Sequence, residues 1–214
     1  MRRRQATTLT AALLLSAAAA NAQKPQLAIS LPERVALGTE APLIRSSSLL
    51  AEGALLDLMR NGFPARLHYR IERWEKGGWF DDIKAVAEWD VVVRYEPLGR
   101  QYQVYRVLGP RTFNLGSFAE FAGAEAALGA PFPAPVTLPR RGRRSYYNVV
   151  LDIEMLSLTE LDEVERWLRG ELKPAVRGKK NPGTAVSRGV RTVVVRLLGA
   201  EKRRYEARSG TFRP

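Results

Sequence analysis

Carboxylates one and two residues apart are the first groups in this sequence that could do chemistry. Asp81 and Asp82 are adjacent, shortly after Gly77-Gly78; Glu88 and Asp90 stand two apart, as do Asp152 and Glu154. Two carboxyl groups held at a fixed separation across a glycosidic bond can share the roles of acid and nucleophile or base. Asp152, Glu154, Asp81 and Asp82 are therefore the candidate catalytic set of an envelope glycan hydrolase. The spacing also has a plainer origin, because alternate residues of a strand share a face and a wet face carries acids. The single histidine, His68, stands between Arg66 and Arg70 in an alternating segment. Nearby positive charge opposes its protonation. A general base also needs an orienting acid and a nucleophile within reach, and spacing alone supplies neither. A surface histidine is the simpler reading.

Other chemistries are discounted by composition. The 214 residues include no cysteine and one histidine, which removes disulfides, thiol catalysis and thiolate metal sites. The acids lack EF-hand spacing, Gly109 to Gly116 lacks the lysine of a phosphate loop, and G-x-S-x-G is absent. Neither a metal nor a cofactor is expected. Trp74, Trp79 and Trp89, with Phe80, cluster around one expected hairpin. They form either an aromatic platform for a sugar or peptide, which makes Trp74 and Trp79 candidate binding residues, or the closing layer of a core, which is the commoner use.

These residues need elements to position them. Gln26 to Leu31 alternates as a first strand, and a looser stretch with Pro32, Gly38 and Pro42 follows. Leu50, Ala51, Ala54, Leu55, Leu58 and Met59 recur at helical spacing; Ser47 or Ser48 can cap that helix, and Asn61-Gly62 and Pro64 end it. Arg66 to Trp74 places Leu67, Tyr69 and Ile71 on one face and Arg66, His68, Arg70 and Glu72 on the other. Lys84 to Tyr95 returns as a long strand carrying Trp89, Val91, Val93 and Tyr95 on one face. Residues 96–100 make a hairpin loop into a strand over Gln101 to Leu108. A short helix is predicted over Ser117 to Leu128, and a proline-rich connector over 131–135. Ser145 to Leu156 is the longest strand, with Tyr147, Val149, Leu151, Ile153 and Met155 together, and a helix is predicted over about Glu160 to Leu172. Hairpin-length links predict an α+β fold: an antiparallel sheet, open or sandwich-like, with two or three packed helices and a basic C-terminal helical tail.

Charge divides the chain. The formal net charge is +12. Arg2, Arg3 and Arg4, the apolar run Leu9 to Ala20 and the small residues Ala20-Asn21-Ala22 have the order of a secretory signal. Residues 1–22 are expected to be that leader, cleaved or kept as an anchor, and the protein to be periplasmic or secreted. No later segment approaches the ~20 apolar residues of a membrane span. Residues 23–170 hold 19 basic and 19 acidic residues, whereas 171–214 hold 12 and 3. The body is thus read as 23–172 and the linker and tail as 173–214, beginning with Pro174, Gly178, Pro182 and Gly183. On a helix, Val186, Val190, Val193, Val194, Leu197 and Leu198 fall within an arc of about 140°. Arg188, Arg191 and Arg196 lie outside it, and Lys202, Arg203 and Arg204 continue the charge. These six cations are candidate binding residues for an anionic membrane surface or an envelope protein; packing of the apolar arc on the sheet is the commoner arrangement. Nucleic acid is not expected, because aromatic–basic interleaving is absent.

Three stretches, LLDLMRNGFPARLHYRIERW (55–74), VVRYEPLGRQYQVYRV (92–107) and LDIEMLSLTELDEVERWLRGEL (151–172), resemble a family of exported bacterial proteins termed domain of unknown function 4390. The resemblance spans residues 26–172. It implies extracytoplasmic residence, no established enzymatic activity and an accessory role near a membrane sensor kinase, and it carries over no catalytic residue. The expected function is a non-catalytic binding or accessory module at the envelope. The glycan hydrolase is the alternative, and a chaperone-like role for exported clients is a third.

Overall fold

The computed structural model describes residues 24–50, 53–140, 142–156 and 202–214. The expected leader, the helix over 160–172 and the tail helix with Arg188, Arg191 and Arg196 lie outside the described residues.

The α+β expectation holds: two antiparallel sheets carry two helices. The larger sheet is built from β3 (Ala65–Glu75), β4 (Asp82–Glu96), β5 (Gln101–Leu108), β6 (Arg111–Phe118), β8 (Ser145–Met155) and β9 (Arg203–Arg208), in the order β6-β5-β4-β3-β8-β9. The smaller joins β1 (Gln26–Ser30), β2 (Leu43–Ser47) and β7 (Phe132–Pro133). Helix α1 (Gly53–Arg60) lies against β4, and α2 (Phe121–Gly129) lies between β2 of the smaller sheet and β5 and β6 of the larger. Alternation explains the layering. Leu67, Tyr69, Ile71, Trp89, Val91, Val93, Tyr147, Leu151 and Ile153 project from one face of the large sheet and join Ile44, Leu55, Met59, Ala124 and Leu128 in one core. Their burial removes the apolar face of every central strand from water, the main favourable term for such a sheet.

Several expected boundaries move. β2 forms in the stretch read as loose, and it takes Ser47; Ser48 adopts a left-handed conformation (φ 53°), so neither serine stands at the start of α1. Residues 111–118 form β6, and α2 starts only at Phe121. Of the helix predicted over Ser117 to Leu128, hydrogen bonding to β5 takes Ser117 and Phe118 into the sheet, and the remainder, from Phe121, forms α2. At the end of α2 the backbone passes so close to β2 that a Cβ on Gly129 would stand 2.4 Å from the Ser46 carbonyl oxygen. Gly129→Ala is expected to destabilise the fold by about 1–3 kcal/mol, read as a lower denaturant midpoint, because the backbone must part.

The largest correction concerns the C-terminus. Arg203 and Arg204 are not part of a tail: Arg203–Arg208 pairs with β8 over Asn148–Ile153 as the sixth strand. Phe212 closes the core beyond it, buried and stacked on Tyr147 at 5.3 Å. The alternation Arg203, Tyr205, Ala207 against Arg204, Glu206, Arg208 has the period of a strand, but a run of cations hides it when charge is read first.

Two inward polar groups are accommodated locally. Arg73, on the core face of β3, donates from Nε to the Thr137 carbonyl (3.0 Å) and from Nη1 to Glu75 (2.8 Å). The Tyr69 hydroxyl lies 3.2 Å from Ser46 Oγ, and burial pushes its pKa up to about 12.

Candidate binding cleft

The outward face of the large sheet collects the charged residues of β3, β4, β8 and β9. Register decides who meets whom: His68 lies opposite Asp90 on one side and Asp152 on the other, and Arg66 lies opposite Glu154. Arg66 grips Asp90 through Nε and Nη2, both at 3.1 Å, and reaches Glu154 through Nη1 at 3.2 Å. His68 Nδ1 stands 2.7 Å from Asp90 Oδ1. Burial works against charge on Asp90, but the His68 hydrogen bond and the Arg66 charge outweigh it and hold the carboxyl below its usual range. The orienting acid that spacing could not supply for His68 is therefore present, contributed by a neighbouring strand. Arg70 adds pairs to Glu72 (2.9 Å) and Glu88 (3.5 Å). The same face also carries buried apolar groups, Val92, Val107 and Val150, so it is less uniformly wet than its alternation predicts.

The acids proposed for catalysis fall into two separate places. Asp152 and Glu154 join the central network, Asp152 facing Lys202 Nζ at 3.5 Å and Glu154 facing Arg66. Asp81 and Asp82 sit at the β3–β4 turn, where Lys76 Nζ donates to Asp81 (2.9 Å) and Lys84 Nζ to Asp82 (3.3 Å). The Lys76 hydrogen bond is the main cause holding the Asp81 carboxyl below its ordinary range. Each of the four carboxylates thus faces a cation. Among the described residues, no group of three or more histidines or carboxylates has the arrangement of a metal site.

The three tryptophans part company. Trp89 enters the core, stacked on Tyr69 at 5.0 Å with planes 3° apart. Trp79 is 95% exposed at the tip of the β3–β4 hairpin. Trp74, on the outward face of β3, lies directly opposite Tyr146 of β8, with centroids 6.0 Å apart and planes 5° apart. The core reading holds for Trp89 alone, because strand parity sends Trp74 and Trp89 to opposite faces and Trp79 stands outside both strands.

Around Trp74 and Tyr146 a cleft of about 410 Å³ opens to solvent, lined also by Asn148, Glu206, Ala207 and Arg208. Trp74 Nε1 donates to Glu72 Oε2 (3.0 Å), which fixes the indole edge. The Tyr146 hydroxyl donates to Asp81 Oδ2 (3.0 Å); burial first, then this carboxylate, raises its pKa. The Arg208 guanidinium lies 3.8 Å from the Tyr146 ring centre, and Lys76 Nζ 5.2 Å from it. Asn148, Glu206 and Arg208 were not singled out from sequence. In the sequence the net charge of their segment hides Glu206 and Arg208, and Asn148 is hidden because its neighbours become visible only through register. Of the remaining candidate cations, Lys202 precedes β9, and Arg204 donates to Glu206 Oε1 at 2.9 Å.

Fold and cleft together define an antiparallel α+β module with an aromatic, solvent-open recess at one end of its outward sheet face. No family model, curated protein or solved structure matches the chain.

Proposed function

We propose that this protein is an exported, non-catalytic binding module of the bacterial envelope, and that its cleft seats a sugar unit of envelope glycan. The cleft carries this reading. A sugar ring presents an apolar face and a rim of hydroxyls, and the recess offers the Trp74 ring beside the amide of Asn148, the carboxylate of Glu206 and the guanidinium of Arg208. A hydrolase would need one carboxyl to hold its proton. Asp81, one of the four candidate acids, is instead held below the ordinary range by Lys76 and hydrogen bonds, which disfavours it as that proton donor. The resemblance drawn from residues 26–172 adds export and an accessory role beside a membrane sensor kinase. The tail cations Arg188, Arg191 and Arg196 offer an anionic surface or partner a second point of attachment.

Co-sedimentation with purified, insoluble cell-wall glycan tests the proposal. The protein is expected to pellet with the glycan without releasing soluble reducing ends. Trp74→Ala and Asn148→Ala are each expected to lower the bound fraction at least fivefold, with the thermal midpoint of Asn148→Ala unchanged within about 2 °C, as for a surface site. Absence of pelleting would overturn the glycan seat. Release of reducing ends that stops in Asp152→Asn or Glu154→Gln would establish the hydrolase instead.

A further inference from the structure

The β3–β4 hairpin ends in two aromatic side chains that the fold leaves uncovered. Trp79 is 95% exposed and Phe80 84%, and Ile83, opposite Trp74 on the returning strand, is 45% exposed. Adjacent large apolar groups at a hairpin tip are an unusual thing to present to water. Their presentation is structurally enforced. A Cβ on Gly77 would stand 1.9 Å from the Phe80 carbonyl oxygen, so the turn closes this tightly only with glycine there. Asp81, the next residue, is tied by both Lys76 and Tyr146. The tip is therefore held out from a fixed base.

A basic loop runs beside that base. The Lys76 amide donates to the Arg144 carbonyl (2.8 Å), and the Gly142 amide to the Pro214 carbonyl (3.1 Å). Arg140, Arg143 and Arg144 in this loop are exposed and form no ion pair with the described residues. The acids at this end are already matched: Glu75 by Arg73, Asp81 by Lys76 and Asp82 by Lys84. Three arginines without an ion pair among the described residues thus lie in the loop whose Arg144 backbone is bonded to the hairpin at Lys76, three residues before the exposed Trp79.

From this juxtaposition we infer that the hairpin end is a membrane-docking surface, with Trp79 and Phe80 entering the interfacial layer of a bilayer and Arg140, Arg143 and Arg144 contacting anionic phospholipid headgroups. Tryptophan partitions to the headgroup level because its ring is amphipathic. Clustered arginines add attraction that depends on anionic lipid and weakens with salt. Neither element needs the cleft to be occupied, so the surface stands apart from the glycan proposal.

The test uses the full chain as processed by an expressing cell, with vesicles of phosphatidylglycerol and phosphatidylethanolamine carrying brominated acyl chains. Tryptophan fluorescence is expected to be quenched on binding, and the quenching to fall sharply in Trp79→Phe, which keeps an aromatic ring but removes the reporter. The double variant Trp79→Ser/Phe80→Ser is expected to lower vesicle partitioning at least tenfold. Arg143→Glu/Arg144→Glu should lower it as far on anionic vesicles, with little change on zwitterionic ones. Binding with Trp79 unquenched would place the contact elsewhere, in the leader or the tail, and overturn the inference. Loss of self-association in Trp79→Ser/Phe80→Ser, with no lipid dependence, would overturn it in favour of a second copy of the chain. Thermal midpoints of all variants within about 2 °C of the parent exclude unfolding as the cause, since these positions are exposed.

Discussion

A chain ending at Glu201 is expected to lose its fold rather than a dispensable extension. The missing residues include β9, which supplies the outer hydrogen-bonded neighbour of β8. They also include Ser209, whose Oγ accepts from the Tyr147 amide at 2.8 Å, and Phe212, whose amide and carbonyl both bond Ser145 at 2.8 Å. Phe212 is 8% exposed and stacked on Tyr147. Phe212→Ala alone is expected to cost about 3 kcal/mol, the low end for a buried phenylalanine, and to lower the thermal midpoint by roughly 10 °C in a protein of this size. The truncation should exceed this and also lay bare the edge of β8, an invitation to intermolecular strand pairing. Expression yield, light scattering and thermal melts of the two variants check the expectation. A truncated chain melting at the parent temperature would refute it.

Asp90→Asn is expected to destabilise the protein by about 2 kcal/mol at pH 7 and to change the acid side of its stability profile. Asp90 receives two hydrogen bonds from Arg66 and lies 2.7 Å from the His68 ring, with its side chain 15% and that of Arg66 33% exposed. The figure falls between those for exposed and fully buried pairs, because solvent screens Arg66 in part. The folded carboxyl titrates below its ordinary value of 3.8. An acid depressed on folding stabilises the native state above its unfolded pKa, and that contribution is lost as pH falls through the folded value. The gap between parent and Asp90→Asn should therefore be full above about pH 5 and shrink progressively below it. Denaturant titrations at pH 7, 5, 4 and 3 measure the gap. A gap that persists unchanged at pH 3 would mean that the variant acts by repacking rather than by charge.

These expectations rest on contacts whose visibility in the sequence differs. Period-two alternation was enough to place β3, β4 and β8 and to name their inward residues, because a strand half-buried in a sheet must repeat every second residue. The hairpin at 96–100 was visible for the same reason. β2 and β7 carried too short or too proline-rich a pattern, and β6 was masked by glycines that weaken local preference without deciding it. The cations of β9 showed how composition misleads. Net charge assigned the whole C-terminus to one basic appendage, whereas the residues after Arg203 follow a strand period that acquires meaning only when β8 offers an unpaired edge.

By itself the chain's residue order determined which side chains share a face, since covalent geometry sets that parity for every extended segment. Tertiary structure alone decided partnership. His68 meets Asp90 because β3 and β4 pair in one register, and a slip of one residue would have sent the histidine to the other face. Trp74, Tyr146 and Arg208 form a cleft because strands distant in sequence become neighbours in the sheet. Register and strand order are properties of the whole core's packing, which is why no local window of sequence contains the site.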